Sequence, residues 1–416
     1  MDAAANLPVA PARKLRLAYL VTHPIQYQAP LLRRIAAEPD IELKAFFATD
    51  FSARPFVAKE FNRPIVWDVP LLEGYAYEVL PRLTRESEQL DFWRPVNYGF
   101  ARRLAAGNFD ALWIHGYARF QHWLAIAAAR RRGIAVLLRD EATAISAPRG
   151  RLKTWAKRKF FAELERRVDA FLAIGSLNRR YYIDNAIPPA RIFRVPYAVD
   201  TAHFRAGAEK ARGQREALRA ELGLEPGRPV ILFAAKLIPR KRPFDLIEAL
   251  ARSARGPASR RPYLVLAGDG PLKPELEAMA ARLAPGAVKF VGFIGQQDLP
   301  RYYDLADVFA LPSEYEAWGL VVNEVMCAGR AVVVSDRVGA GPDLILSGEN
   351  GAVHRMGDVA ELARALGMVL ESPERTAAMG KRSLEIINRW SFEEDVRGLR
   401  EALAFVRPWF KAQASA

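Results

Sequence analysis

The chain has 416 residues, of which 51% are hydrophobic and 26% charged, so it is long enough for two domains with separate cores and has the composition of a soluble globular protein. Its single cysteine, Cys327, excludes an internal disulfide and a cluster of thiolate metal ligands. The 61 Lys and Arg residues outnumber the 47 Asp and Glu residues, and the formal net charge of +14 indicates an anionic partner: a membrane surface, a nucleic acid or a phosphorylated substrate.

The N-terminal region shows no secretory apolar segment, and no run of the sequence is apolar over the length of a membrane helix. We therefore expect the protein in the cytoplasm. Residues 1–12 are small and interrupted by proline, which predicts a disordered start.

The first predicted strand, 15–21, is followed directly by polar side chains. Ligands of doubly wound sheets bind at the carboxyl ends of strands, so these side chains are candidates for contact with a substrate. Alternatively, the two prolines in this stretch only shape the turn into a helix over 31–38, and the sequence leaves both interpretations open. The candidates are His23, Gln26 and Tyr27.

Residues 51–95 are predicted to form a long irregular section with strands at 65–69 and 75–80. Loops of this length are usually functional or disordered, and the aromatic content favours an ordered section that contacts a substrate. The aromatic residues are Phe51, Phe56, Phe61, Trp67, Phe92 and Trp93.

Two further strands of the first half lead into polar residues. One ends at His115 and Gly116, and the other, 134–138, leads to Arg139, Asp140 and Glu141. A lone histidine at a strand end is more often structural than functional, so the residues around His115 do not by themselves assign it a role.

A basic amphipathic helix is predicted over 149–167, where eight basic and two acidic side chains surround an apolar stripe. Such a helix most often packs on its own domain and leaves its charged face in solvent. The alternative is a helix that lies on a membrane surface or binds lipid phosphates. The stripe consists of Leu152, Ala156, Phe160 and Leu164.

A charged helix predicted over 209–222, and the Pro-Gly punctuation at 226–229, mark the region between two domains. Beyond it, buried-type strands alternate with helical segments, which predicts a parallel sheet covered on both faces. These strands are 230–234, 263–267, 288–291, 308–311 and 331–334, and an amphipathic helix over 390–406 follows them.

The segment 313–343 brings two carboxylates close to a helix start. Glu316 and Glu324 are separated by seven residues, and the apolar run between them predicts a short buried helix. Its first N–H groups, at Gly319, Leu320 and Val321, have no backbone partner and could hold a phosphate at the positive end of the helix dipole. Glu324 on an apolar helix needs hydrogen-bond donors, and sugar hydroxyls are suitable ones. The alternative is a capping carboxylate followed by an exposed glutamate.

Two loops of the second half add cations and glycines. Lys236 and Lys241 follow the strand 230–234, where two fixed cations can hold a diphosphate and stabilise it as it leaves; the alternative is a solvated basic turn. Gly268 begins the sequence Gly-Asp-Gly-Pro after the next strand, where glycine allows a close approach of the backbone.

Together these motifs resemble those of the retaining glycosyltransferases of family four, which have the GT-B fold and are of the glycosyl transferases group 1 type. The family pattern E-x7-E followed by G-x-P-V-V-x-S is similar to Glu316-(x7)-Glu324 followed by 329–335, and its G-R-L-x-x-x-K turn and G-D-G-P are similar to 235–241 and 268–271. The sequence departs from the family in several places. It has Lys236 for the usual arginine, Tyr197-Ala198 for Asn-Gly, Arg330-Ala331 for the pair ending in proline, and HPIQYQAP for the glycine-rich loop after the first strand.

The resemblance implies an α/β protein with two Rossmann-like domains that face each other across a cleft. We expect an acceptor-binding domain over 13–205, a nucleotide-sugar-binding domain over 206–388, and a C-terminal segment, 389–416, whose helix packs back on the first domain.

The resemblance also implies retaining transfer of a sugar from a nucleotide-diphosphate sugar to a glycan or lipid-linked acceptor, in bacterial surface polysaccharide or glycolipid synthesis. No cofactor and no metal are expected, and no Asp-x-Asp motif of the metal-dependent GT-A type occurs. The leaving diphosphate would be held by the cations and the helix start, and would help to deprotonate the acceptor.

The implied roles follow the family motifs. Lys236, Lys241, Gly268 and the helix start at Gly319, Leu320 and Val321 would bind the diphosphate side of the donor. Glu316 would contact the sugar hydroxyls, Glu324 the ribose, Phe293 the region of the base, and His115 the donor sugar. His23, Gln26 and Tyr27 remain the acceptor-binding candidates.

Two other functions are compatible with parts of the sequence. A sugar-nucleotide 2-epimerase has the same fold, but the order of the lysines, the glycine loop and the two glutamates favours transfer. A non-catalytic binding protein would use the positive charge, yet the sequence has no RNA- or DNA-binding motif, so we expect no nucleic-acid partner.

Overall fold

The computed structural model describes residues 13–58, 63–65, 67–83, 90–146, 151–252 and 261–410. The predicted disordered segment 1–12 and the aromatic residue Phe61 lie outside these residues. None of the described helices is both long and apolar enough to cross a bilayer.

The first domain is built on a seven-stranded parallel sheet with the order β5-β2-β1-β6-β7-β8-β9. Its central strands β1, β6, β7 and β8 are apolar runs that are buried on both faces, as expected where helices cover a parallel sheet, whereas the edge strand β5 is partly exposed. The strands are β1 Leu15–Val21, β2 Ile41–Phe47, β5 Ala76–Val79, β6 Ala111–His115, β7 Ala135–Arg139, β8 Ala170–Ala173 and β9 Ile192–Arg194, and β3 Phe56–Ala58 pairs with β4 Arg63–Ile65 in a separate antiparallel hairpin. The helices are α1 Ala29–Ala36, α2 Phe100–Gly107, α3 Phe120–Arg130, α4 Arg151–Arg167 and α5 Ser176–Asp184.

The second domain repeats this plan with six parallel strands in the order β12-β11-β10-β13-β14-β15. Two parallel sheets covered by helices confirm the predicted α/β fold class with two Rossmann-like domains. The strands are β10 Val230–Ala234, β11 Tyr263–Ala267, β12 Val288–Gly292, β13 Val308–Leu311, β14 Ala331–Ser335 and β15 Gly351–His354. The helices are α8 Pro243–Arg252, α9 Lys273–Leu283, α10 Leu299–Leu305, α11 Leu320–Cys327, α12 Gly341–Leu344, α13 Val359–Val369 and α14 Pro373–Ile387.

The connection between the domains differs from the prediction. Instead of one helix over 209–222, the structure has α6 Thr201–Arg212 and α7 Arg215–Glu221, separated at Gly213. The strand predicted at 65–69 is also displaced, because the hairpin strand β4 ends at Ile65.

The described part of the predicted basic helix, α4, packs apolar side chains into the core of the first domain. Phe161 and Leu164 are fully buried, and Phe160 packs against Tyr117 and Trp123 with ring centroids 5.3 Å apart in each pair. Residues 149 and 150 and the side chains of 151–156 lie outside the described part. The large apolar residues of α4 at 160, 161 and 164 therefore face the protein interior, and this part of the helix could contact a membrane only through its charged residues.

The last helix, α15 Phe392–Val406, returns to the first sheet, where its apolar side chains join the core around β8 and β9. Its Asp395 carboxylate lies 3.5 Å from the guanidinium of Arg139 at the end of β7, and both side chains are 1% exposed. Arg139 also donates hydrogen bonds to the carbonyl oxygens of Val195 and Pro196, each at 3.1 Å. Burial raises the pKa of Asp395 to about 6 although the positive charge of Arg139 opposes this shift.

We expect Asp395→Ala to destabilise the protein by about 3–5 kcal/mol, because it leaves the buried guanidinium of Arg139 without its charged partner. Urea unfolding measures the change. The control is Glu401→Ala, which removes an exposed carboxylate from the same helix and should be nearly neutral. Equal stabilities of the two variants would contradict this account of the helix.

Candidate active site

A cavity of about 650 Å³ lies between the two domains. Strand order reverses between β1 and β6 in the first sheet and between β10 and β13 in the second. Loops after β1, β10 and β13 line the cavity, as ligand sites in doubly wound sheets do. The first domain contributes Gln26, Tyr27, Trp67, Glu141 and Tyr197. The second contributes, among others, Lys236, Arg240, Lys241, Gly268, Phe293, Tyr303, Glu316, Trp318, Gly319, Leu320, Val321 and Glu324. The structure thus brings every predicted donor-site residue of the second domain to one wall.

Lys241 and Glu316 form an ion pair on that wall. The Lys241 ammonium donates to Oε1 of Glu316, and the Ser313 hydroxyl donates to the same oxygen at 2.8 Å. An Arg240 nitrogen lies 3.6 Å from Oε2. Burial lowers the pKa of Lys241, while the charge of Glu316 opposes this shift. Both predicted residues are therefore close enough to act on one ligand, and their charges neutralise each other.

Two glycines allow the backbone to form this wall. Gly319 precedes α11 with φ of +98°, a conformation that other residues rarely adopt. Gly268 has φ of +155°, and a Cβ atom there would lie 1.9 Å from the carbonyl oxygen of Ala235. Glycine is therefore favoured at both positions, and both residues line the cavity. No side chain among the described residues caps the N-terminus of α11. The first residues of this helix, Leu320 and Val321, line the cavity.

Glu324 lies on α11 and is 9% exposed. Its Oε2 accepts a hydrogen bond from the hydroxyl of Tyr303 on α10. Burial raises the pKa of Glu324 to about 7, and the Tyr303 hydrogen bond acts in the opposite direction. The carboxyl group therefore changes its charge near neutral pH, inside the cavity.

The first-domain wall carries a third carboxylate of the cavity, Glu141, which follows β7. Its Oε1 accepts hydrogen bonds from the hydroxyls of Tyr197 and Tyr27, the latter at 3.4 Å. The edge of the Tyr27 ring meets Tyr197 with centroids 5.7 Å apart. Tyr27 is one of the acceptor-binding candidates predicted from the sequence, which predicts no role for Glu141 or Tyr197. The position of Glu141 after a strand was the available signal, since nothing local shows that Tyr197 reaches it.

The two predicted histidines lie next to this wall but do not line the cavity. His115 ends β6, with Nδ1 3.1 Å from the amide nitrogen of Gln28 and Nε2 3.8 Å from Oε1 of Glu141. Burial lowers the pKa of His115, and Glu141 opposes this shift. His23 contacts the Thr22 hydroxyl at 3.0 Å and the ring of Phe51, and burial lowers its pKa to about 4. Of the three acceptor candidates, Gln26 and Tyr27 line the cavity and His23 does not.

Within the described ranges, no three His, Cys, Asp or Glu side chains are grouped as the ligands of a metal ion would be.

A protein-family model matches the second domain. Residues 214–385 match the family model described as glycosyl transferases group 1. A D-inositol 3-phosphate glycosyltransferase of Nocardia farcinica is 33% identical over 220 residues, covering 51% of this chain and 47% of that protein. A GDP-mannose-dependent alpha-(1-6)-phosphatidylinositol monomannoside mannosyltransferase of Mycolicibacterium smegmatis is 35% identical over 203 residues. The match covers 46% of this chain and 50% of that protein. The chain spans about half the length of these relatives.

Solved structures extend the likeness to both domains. The crystal structure of Anabaena HepE in complex with UDP and glucose superimposes with a TM-score of 0.67 over 94% of this chain and 99% of that one, at 19% identity. At this identity the match concerns the fold. The chain therefore has the two-domain GT-B fold of glycosyltransferases, and its residues 214–385 match glycosyl transferases group 1.

Proposed function

We propose that the protein is a glycosyltransferase that moves a sugar from a nucleotide-diphosphate sugar to a glycan or lipid-linked acceptor. The observation that carries this proposal is the arrangement of the second-domain wall, where Lys236, Lys241, the uncapped start of α11 and Glu324 border one cavity. Cations and helix N-terminal N–H groups bind phosphates, and a carboxylate accepts hydrogen bonds from ribose or sugar hydroxyls.

The relatives support the same assignment. HepE is described in complex with UDP and glucose, and the mycobacterial relative is named for GDP-mannose and an inositol lipid. We extend these properties to this chain as a proposal: the donor carries a nucleoside diphosphate, and the acceptor is a phosphoinositol-like or other glycolipid or glycan. Bacterial surface glycolipid or polysaccharide synthesis is the corresponding role.

Each residue of the second-domain wall has its own role in the proposed reaction. Lys241 and Lys236 meet the charge that grows on the diphosphate as the bond to the sugar breaks, and the start of α11 binds the same group. Glu316 moves from its ion pair with Lys241 to the sugar hydroxyls, and Glu324 binds the ribose. In this proposal the reaction retains the anomeric configuration and needs no metal, because the lysines and the helix start supply the positive charge.

The decisive first experiment measures thermal stabilisation of the full chain by UDP-, GDP- and ADP-sugars, followed by transfer assays with the sugar that stabilises it. Stabilisation by one of these donors is the expected result. An absence of stabilisation by any of them, or conversion of the donor to its 2-epimer without an acceptor, would refute the proposal.

Lys241→Ala is expected to lower the rate of transfer on the order of a hundredfold, because it removes a preorganised contact with the leaving diphosphate. The measurement is kcat at saturating donor. Lys273→Ala is the matched control, since this lysine is on the same domain in an exposed pair with Glu277 at 4.0 Å. If the Lys241 variant keeps most of its activity, the turn has no catalytic role.

Donor affinity should depend on pH through Glu324, whose pKa is raised to about 7. Ribose hydroxyls bind the carboxylate form, so affinity is full above pH 7 and falls as the pH drops through 7, by about tenfold between pH 8 and pH 6. Calorimetry with the stabilising nucleotide sugar, whose diphosphate loses no proton in this range, measures the effect.

Two variants test whether Glu324 causes this dependence. Glu324→Gln should bind weakly with an affinity that does not change between pH 6 and pH 8. Tyr303→Phe removes the hydrogen bond that favours the carboxylate, so it should move the midpoint to higher pH. A pH dependence that survives in Glu324→Gln would assign it to another group.

We also propose that the protein binds anionic membranes peripherally through the cations of α4, since each basic side chain near an anionic surface contributes about 1 kcal/mol before screening. Vesicle sedimentation at low salt should show binding to anionic but not neutral vesicles, with a steep loss as salt rises. Neutralising Lys153, Lys157, Arg158 and Lys159 should abolish it. Unchanged binding of that variant, or no binding of the wild type, would rule out this surface.

A further inference from the structure

Glu141 is a carboxylate of the first domain that borders the cavity shared with the second. It follows β7, the neighbour of β6, so it lies at the carboxyl edge of the first sheet. Its side chain is 40% exposed, and the residue lines the cavity opposite the wall that carries Lys241 and Glu316. A ligand in the cavity can therefore touch Glu141 without moving the backbone.

The structure fixes one oxygen of this carboxylate and leaves the other available. Oε1 accepts from Tyr197 and Tyr27 and lies 3.8 Å from Nε2 of His115. Within the described part of the chain, no donor lies within hydrogen-bond distance of Oε2. Tyr197, which donates to Glu141, is itself held in place, because the guanidinium carbon of Arg139 lies 4.6 Å from the centroid of its ring.

The surroundings also keep this group ionised. Burial raises the pKa of Glu141, but the nearby His115, the Tyr197 hydroxyl and the charge of Arg139 outweigh burial and hold the pKa below its usual range. A carboxylate only accepts hydrogen bonds, and it repels a phosphate. The ligand group at Oε2 must therefore be a donor, and among the substrates of the proposed reaction that donor is a hydroxyl.

The position on the first domain indicates which substrate supplies the hydroxyl. His115, which the family resemblance assigns to the donor sugar, does not line the cavity. The cavity-lining groups proposed to bind the donor all lie on the second domain, and the attacking hydroxyl must face the diphosphate there. We propose that Glu141 binds a hydroxyl of the acceptor adjacent to the one that reacts, so that the enzyme selects acceptors with neighbouring hydroxyls, as in a sugar or a cyclitol ring. This inference rests on the proposed transferase function.

The test compares wild type with Glu141→Gln, which keeps the size of the side chain but removes its charge. The full chain is assayed with the nucleotide sugar that stabilises the wild type, and with D-inositol 3-phosphate and methyl α-mannoside as acceptor probes. Acceptor kcat/KM should fall about 10- to 100-fold in the variant, mainly through the acceptor KM, as loss of a hydrogen bond to a charged group does. Donor affinity, and hydrolysis of the donor by water, should stay within about twofold of wild type.

Probe binding to the protein loaded with the matching nucleoside diphosphate is measured in parallel by calorimetry, so the comparison does not depend on turnover. Tyr27→Phe is the second variant: it removes one of the hydroxyls that hold Oε1 and should raise the acceptor KM by a smaller factor. Equal loss of donor and acceptor affinity in Glu141→Gln would place this residue in the donor site and overturn the inference, as would unchanged acceptor kinetics. Failure of the transferase proposal is recognised separately, because the wild type would then bind no nucleotide sugar.

Discussion

A buried guanidinium, that of Arg139, joins three parts of the protein that are far apart in the sequence. It closes β7, pairs with Asp395 of the C-terminal helix, donates to the carbonyl oxygens at 195 and 196, and covers the ring of Tyr197. A charge removed from water needs all of these partners, so the C-terminal helix and the chain between the domains must dock together for it to be stable. Tyr197 then presents its hydroxyl to Glu141, while its carbonyl oxygen accepts from Asn323 on α11 at 3.1 Å. Arg139 therefore positions Tyr197, and Tyr197 contacts both walls of the cavity, through its hydroxyl and through its backbone carbonyl.

The second wall depends on a different balance of charge. Lys241 and Glu316 form an ion pair, which limits the cost of keeping two charged groups largely out of water. In the proposed reaction, the diphosphate of the donor competes for the ammonium of Lys241. Glu316 keeps the hydrogen bond from the Ser313 hydroxyl and gains sugar hydroxyls as further donors. A nucleotide sugar brings both groups on one molecule.

Much of this could be predicted from local sequence because the relevant signals are local. Apolar runs of four to seven residues predicted most strands of both sheets, and polar residues at their carboxyl ends indicated where Lys241, Glu316 and Tyr27 would gather. The short strand β15 carries too few apolar residues to be recognised. The break between α6 and α7 falls at Gly213, whereas Gly207 lies inside α6, so glycine alone does not predict where the helix ends.

The site features that the sequence did not predict are contacts across long separations. Glu141 meets Tyr197 across 56 positions, and no periodicity or motif encodes that meeting. The same holds for the placement of His23, which follows β1 as Tyr27 does, yet packs against Phe51 rather than into the cavity. Position after a strand predicts the edge of the sheet, whereas the direction of each side chain depends on the residues packed around it.

The two walls differ in the charge that they leave available to a ligand, and this difference orients any substrate between them. On the second domain, lysines and helix N–H groups attract an anion, with Glu316 and Glu324 beside them to accept hydroxyls. On the first domain, the ionised Glu141 repels an anion and accepts a hydroxyl, and Tyr27 and Tyr197 hold it in place. A molecule with a phosphate at one end and hydroxyls at the other is bound favourably in only one direction. Because each wall belongs to a separate domain, the proposed reaction would place the diphosphate of the donor against the second domain and the reacting hydroxyls of the acceptor against the first.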